Sequence, residues 1–348
     1  MSAGLRGSDL PLAEAFDLAL VDLDGVAYKG HAPIVHAAHG LTSARERGLR
    51  LVFVTNNASR EPVSVSDQLT SLDIPAEPAD VMTAAQACAR LLADHVAPGS
   101  RVLVVGGAGL LTAVTEAGYE VVTSADDRPD AVAQGFDPSL GWKDLAEAAY
   151  AVAAGAAYVV SNRDLSLPTA RGFAPGNGAL VGAVVAATGV EPSSAGKPSP
   201  AMYAMAIDRA GAERPLVVGD RLDTDLAGAR SGGYPGLHVL TGVNSARDDV
   251  LAHPGERPDF IGADLRSLLE PHPLPVRGDE GWWTCREAAA RVAGDQLELR
   301  AGPDGSDPVD LVRAACSAAW SHVDGGGTLD PASVPDLALP VEPAGARA

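Results

Sequence analysis

The apolar run Leu18 to Val21 stops abruptly at Asp22-Leu23-Asp24-Gly25. So short and so apolar a run predicts a buried strand. Successive odd or even residues of a strand face one side, so Asp22 and Asp24 would converge if the strand stayed regular. Two like charges held that close are unfavourable unless a proton or a cation sits between them. The carboxyl end of a strand is also where an open α/β sheet binds its ligands. The pair therefore points to a hard-cation site suited to Mg²⁺, with one carboxylate able to act as a nucleophile. A strand end followed by an ordinary Asp-Gly turn is the simpler reading, and D-x-D-G alone does not decide between them.

The same arrangement recurs along the chain. Leu49 to Val54 reads as a second strand and ends in Thr55-Asn56-Asn57. Thr55 and Asn56 can donate hydrogen bonds to phosphate oxygens without adding charge, although such residues also cap helices. Gly196-Lys197-Pro198-Ser199-Pro200 predicts the opening of a helix running to about Ala210. A helix start attracts anions, and a lysine there adds full positive charge; a solvated surface lysine is the alternative. Pro215 to Gly219 predicts a third strand, ending in Asp220-Arg221-Leu222-Asp223-Thr224-Asp225. Helix capping accounts for Asp223 or Asp225 but less well for Asp220, which stands on the strand end itself.

Asn57 and Lys197 are 140 residues apart, whereas one βα connection needs about 30. A small domain is therefore inserted between them. Its expected strands are Arg101 to Val105, Glu120 to Thr123, Ala131 to Gly135 and Tyr158 to Ser161. Helices are expected at Thr83 to His95, Leu110 to Ala117 and Lys143 to Ala154, an α/β alternation. Gly106-Gly107-Ala108-Gly109 follows one of these strands and half-matches a dinucleotide-binding turn, but its third glycine position falls on Thr112. His36 and His39, on a helix expected from Ile34 to Gly48, have metal-ligand spacing without a third partner, and surface histidines explain them equally.

The bulk properties narrow the field of partners. A net charge of −19 over 348 residues argues against nucleic acid or an anionic membrane surface, but not against an anionic metabolite gathered around a cation. Three dispersed cysteines, Cys88, Cys285 and Cys316, predict a reducing compartment without disulfides. Met1 to Pro11 lacks an apolar stretch, so no signal peptide is expected, and no run is long enough to span a bilayer. Pro271 to Pro275 marks a boundary. Trp282 to Arg300 and Val309 to Val323 then suggest a small extra unit, and the Gly/Pro/Ala-rich end from Gly325 reads as flexible.

Taken together, Leu-Val-Asp22-Leu-Asp24-Gly-Val, Val-Thr55-Asn56-Asn57-Ala-Ser-Arg, Gly-Lys197-Pro-Ser-Pro and Val-Gly-Asp220-Arg-Leu-Asp-Thr-Asp225 resemble the four motifs of haloacid dehalogenase-like phosphatases. The resemblance is to subclass IIA, the NagD-like and para-nitrophenylphosphatase-like group, and covers about Phe16 to Leu269. The tail and the string Thr241 to Ala246 resemble actinobacterial members that act on glycerol 3-phosphate and carry an acetyltransferase-like tail. After Trp282 there is no R/Q-x-x-G-x-G/A acyl-CoA loop, so acyl transfer is not expected.

The resemblance implies a Rossmann-like α/β parallel-sheet core at 1–80 and 185–270, an inserted α/β cap at 81–184, and a small C-terminal domain at 276–348. It implies Asp22 as nucleophile and Asp24 as acid and base. Asp22, the Asp24 carbonyl and Asp220 would hold Mg²⁺, with Asp225 behind them. Thr55, Asn56 and Lys197 would hold the phosphate, with Asn57 and Asn162-Arg163-Asp164 contributing contacts. The expected reaction is hydrolysis of a small phosphate monoester, glycerol 3-phosphate foremost, with phosphoglycolate, pyridoxal phosphate, sugar phosphates and nucleotides as alternatives. A phospho-acceptor module and a dinucleotide-binding protein are the rival readings. A cytoplasmic homodimer paired through the cap is the expected assembly.

Overall fold

The computed structural model describes residues 4–169 and 171–339. The chain divides into two compact units, Met1–Leu51 with Ala210–Ala348, and Val52–Arg209.

In the first unit, strands Phe260–Gly262, Gly236–Val239, Pro215–Gly219 and Leu18–Val21 lie side by side in that order, all parallel. Their residues are buried throughout, with only Pro215 of the third partly open, as expected of a parallel sheet covered on both faces. Leu18 pairs with Pro215 and Val21 with Val218, so Asp22 and Asp220 emerge at neighbouring strand tips. Helix Ala37–Glu46 starts later than the sequence suggested. His36 has φ 66°, a left-handed conformation that a right-handed helix cannot contain.

The C-terminal segment belongs to this same unit. Strands Val276–Arg277, Trp283–Cys285, Ala288–Ala293 and Gln296–Arg300 form an antiparallel sheet against helix Val309–Asp324. One apolar cluster joins Trp320, Cys316 and Val312 of that helix to Ala246, Val250 and Ile261 of the hydrolase-like part. Buried Arg313 donates from Nε and Nη2 to the Ile261 carbonyl at 3.2 and 2.7 Å, on the edge strand of the parallel sheet. Arg257 stacks on Trp320 and donates to both Asp324 carboxylate oxygens at 2.9 and 2.8 Å. The expected flexible end is instead structured as far as 339. Val334 is 3% exposed in the same cluster, and the Leu297 N–H donates to the Ser333 hydroxyl. Residues 340–348 lie outside the described ones.

In the second unit, strand Arg50–Thr55, which enters from the first, pairs in parallel with Val81–Thr83. A separate parallel sheet runs Ser193–Ser194, Ala157–Val160, Ala131–Gln134, Arg101–Val105, Glu120–Val122. Strand Val81–Thr83 thus pairs with the strand that carries Thr55, and the inserted sheet extends to Ser194. Ser166–Thr169 and Gly172–Pro175 pair as an antiparallel hairpin. Helix Ala201–Ala210 starts four residues beyond Lys197. Pro200 disfavours helical geometry at Ser199, so Lys197 stands in the approach to the helix and not in its first turn. No helix among the described residues is long and apolar enough to cross a membrane.

Candidate active site

Asp22, Asp220 and Asp225 each present a carboxylate oxygen within 4.8 Å of the others. Asp220 and Asp225 are 0% exposed. Three carboxylates this close and this buried repel one another and lose hydration, a cost that a cation between them removes. An all-oxygen, anionic donor set suits a hard divalent ion such as Mg²⁺ or Ca²⁺. Among the described residues, no other group of three or more His, Cys or carboxylate side chains could hold a metal, and His36 and His39 belong to no such group.

Asp24 does not join this trio through its side chain. The strand ends at Val21, and the Leu23 carbonyl accepts the N–H groups of Ala27 and Tyr28 while the Gly25 N–H turns back to the Tyr28 carbonyl. The chain therefore curls at Leu23, the alternation expected of a regular strand stops, and Asp24 becomes exposed. Asp225 supplies the third carboxylate instead. A single π-helical turn, Leu222–Leu226, carries it back beneath the strand tip, where the Arg221 N–H donates to it at 3.2 Å. Such turns recur at functional sites. Asp223, by contrast, points out and pairs with Arg221 at 3.0 and 2.7 Å.

Asp220 is held on several sides. The Val243 N–H donates to its Oδ2 at 2.7 Å, and the Asn244 N–H to its carbonyl at 3.2 Å. A Cβ on Gly242 would lie 1.8 Å from Asp220 Oδ2, and one on Gly25 2.4 Å from it, so both turns must be glycine for the backbone to come this close. Thr241 Oγ1 ties the two turns together by donating to the Gly25 carbonyl at 2.6 Å.

Behind Asp220 stands His238, fully buried in its strand. Its Nε2 donates to the Asp220 carbonyl at 3.1 Å, and its Nδ1 faces Asp249 Oδ2 at 2.9 Å. Burial pulls the imidazole pKa down, and Asp249 together with the carbonyl and charge of Asp220 reverses this into a net rise. Neither His238 nor Asp249 was singled out from the sequence. The available signal was a histidine inside the otherwise apolar strand Gly236–Val239, since a buried polar group needs a partner.

The second unit holds the other expected residues. Lys197 is 4% exposed, and its ammonium donates to the Val54 carbonyl at 3.2 Å. Asn56 grips the lysine's main chain. Its Oδ1 accepts the Lys197 N–H at 2.8 Å, while its Nδ2 donates to the Lys197 carbonyl at 3.2 Å and to Asp164 at 3.1 Å. Asn162 in turn donates to the Asn56 carbonyl at 2.7 Å. The Asn56 side chain is thus occupied in fixing Lys197. Asn57 caps the following turn, accepting the N–H groups of Ser59 and Arg60, and Thr55 Oγ1 accepts the Asn57 N–H. Arg163 pairs with Glu191 on the surface.

The half-matched glycine motif is packed against peptide of its own unit. Residues 58–60 of the same unit lie against it. The Gly109 N–H donates to the Ser59 carbonyl at 3.0 Å. A Cβ on Gly107 would lie 3.1 Å from Ser59 Cα, and one on Gly109 2.5 Å from the Arg60 carbonyl oxygen. The glycines make room for peptide, which is the simple turn reading.

Comparison with known proteins identifies the family. The haloacid dehalogenase-like hydrolase profile matches residues 19–120 and a HAD-hydrolase-like profile residues 194–268. A GCN5-related N-acetyltransferase-like domain profile matches residues 285–337. The D-glycerol 3-phosphate phosphatase of Mycobacterium tuberculosis is 46% identical over 313 residues, 89% of this chain and 87% of that protein. A crystal structure of the M. tuberculosis glycerol phosphate phosphatase in complex with magnesium superposes with TM-score 0.82 at 45% identity, covering 91% of this chain and 93% of that one. An acid sugar phosphatase of Staphylococcus aureus is 38% identical over 252 residues, 72% of this chain and 95% of its own. The p-nitrophenyl phosphatase of Archaeoglobus fulgidus has TM-score 0.68 at 28% identity, covering 73% of this chain and 98% of that one. The chain belongs to the haloacid dehalogenase-like hydrolases, in their NagD-like and para-nitrophenylphosphatase-like group.

Proposed function

We propose that this chain is a Mg²⁺-dependent phosphatase that hydrolyses glycerol 3-phosphate through an aspartyl-phosphate on Asp22. The carrying observation is the carboxylate trio at adjacent strand tips, in a chain 46% identical to a glycerol 3-phosphate phosphatase. Asp22, Asp220 and Asp225, with the Asp24 main-chain carbonyl, would hold the metal, which neutralises phosphate charge and lets a carboxylate approach phosphorus. An Asp22 oxygen attacks phosphorus as the ester P–O bond breaks, and Asp24 gives its proton to the leaving alkoxide. The exposed position of Asp24 suits that exchange. Asp24 then takes a proton from the water that attacks the acyl phosphate, releasing inorganic phosphate and restoring Asp22. Thr55 and Lys197 bind the phosphoryl oxygens, and Asn56 keeps Lys197 in place. The insert serves as the cap. The proposed setting is the cytoplasm, supported by three buried free cysteines, and the proposed assembly is a homodimer paired through the cap.

The test is a panel of phosphate esters scored by kcat/KM with Mg²⁺. Glycerol 3-phosphate should lead; a sugar phosphate, phosphoglycolate, pyridoxal phosphate or nucleotide turned over ten times better would overturn the substrate assignment. Asp22→Asn should lower phosphate release at least about 10³-fold and abolish the phosphoenzyme. Retained phosphoenzyme would overturn the nucleophile.

A further inference from the structure

Asp220 is linked to the C-terminal helix by an unbroken set of contacts within one unit. Trp320, 2% exposed on helix Val309–Asp324, donates its indole N–H to the Asp249 carbonyl at 3.0 Å. Asp249, fully buried, faces His238 Nδ1 through Oδ2, while its Oδ1 has no hydrogen-bond partner. That carboxylate is therefore committed to the imidazole. His238 Nε2, in turn, must donate to the Asp220 carbonyl, because a carbonyl can only accept. Each step is buried, so none is loosened by competing water. The proposed phosphatase reaction uses none of His238, Asp249 and Trp320.

We infer that His238 is a positioning residue for the metal centre, held by Asp249, and that the C-terminal module acts on the centre through Trp320. The module thereby sets cation affinity and not substrate recognition. This rests on the reading of Asp22, Asp220 and Asp225 as the metal site. Partners standing behind a ligand typically tune metal affinity about 10- to 100-fold, and His238 stands behind Asp220 through its main chain.

Two substitutions separate the roles of the ring nitrogens. In His238→Gln the amide nitrogen can occupy the place of Nε2 and keep the donor to Asp220. In His238→Asn the amide lies nearer the place of Nδ1 and that donor is lost. Trp320→Phe removes the N–H together with part of the ring packed in the apolar cluster, and Val334→Ala, which destabilises the same cluster without removing a hydrogen bond of the link, is the control for that packing loss. Binding of Mn²⁺ to the metal-stripped full chain, followed by electron paramagnetic resonance of free Mn²⁺, gives a readout apart from activity. His238→Asn should weaken Mn²⁺ about 10-fold and Trp320→Phe about 3-fold. His238→Gln should stay near wild type, and Val334→Ala should lower Tm with Mn²⁺ affinity unchanged. KM for substrate at saturating Mg²⁺ should not move in any of them. Equal affinities for the Asn and Gln variants, or a Trp320→Phe effect matched by Val334→Ala, would overturn the inference. Asp220→Asn tests the metal reading separately: if it binds Mn²⁺ like wild type, that reading fails, whereas lost binding there with no effect at His238 defeats this inference alone.

Discussion

In the proposed phosphate site Asn56 acts indirectly, with its side chain turned to Lys197 and not to a ligand. Its amide is spent on both main-chain polar groups of Lys197 and on Asp164. Asn56→Ala should therefore misplace the lysine and lower kcat/KM by about 10- to 100-fold, since small errors of placement are costly in catalysis. Steady-state kinetics with Asn56→Asp as comparison checks this, because Asp keeps the acceptor for the Lys197 N–H and loses the donors. His272 offers a prediction of another kind. Burial holds its imidazole pKa down to about 4, and Arg313 and Arg286 add to this against the Ser267 carbonyl and Asp307. An unfolded chain takes up that proton near the ordinary value of 6.5. The stability from a neutral His272 is thus complete above pH 6.5 and is lost as pH falls toward 4, on the order of 3 kcal/mol in total. His272→Gln should flatten this part of the urea-unfolding profile between pH 6.5 and 4.5; an unchanged slope would refute it.

Elements explain which parts of the site could be read in advance. The strand Pro215–Gly219 matched its expected limits, because uniformly apolar strands bounded by charge are conspicuous. The strand Leu18–Val21 was equally plain, yet the fate of Asp24 was not. It depends on the Leu23 carbonyl accepting successive N–H groups, a choice of the following loop that the D-x-D-G string does not encode. Asp225 reads as a helix cap from its position, and the resemblance puts it only behind the ligands, because a π-helical turn leaves no distinct sequence pattern. The linkage through His238 and Trp320 joins residues far apart in the chain, and only packing brings them together. The C-terminal helix was visible by its apolar residues, but its attachment was not. That attachment rests on Arg257, whose side chain is 1% exposed against 26% for Asp324. Arg257→Met should cost about 2–3 kcal/mol, less than for a fully buried pair, and chemical denaturation would measure it.

At the scale of the molecule, two compact units share the expected residues: the carboxylates stand in one, and Thr55, Asn56 and Lys197 in the other. The crowded carboxylates make the folded chain less stable without a cation than with one. Saturating Mg²⁺ at about 100 times its Kd should stabilise the fold by about 2.7 kcal/mol, raising Tm by several degrees, and chelation should reverse this. Asp220→Asn should show a smaller rise; an equal rise would mean the ion binds elsewhere. The glycine-rich turn at residues 106–109 has a consequence at this scale too. What it embraces, the peptide around Ser59, is tethered to it, at an effective concentration no diffusing metabolite can approach. A dinucleotide could use that turn only by displacing the peptide already held there.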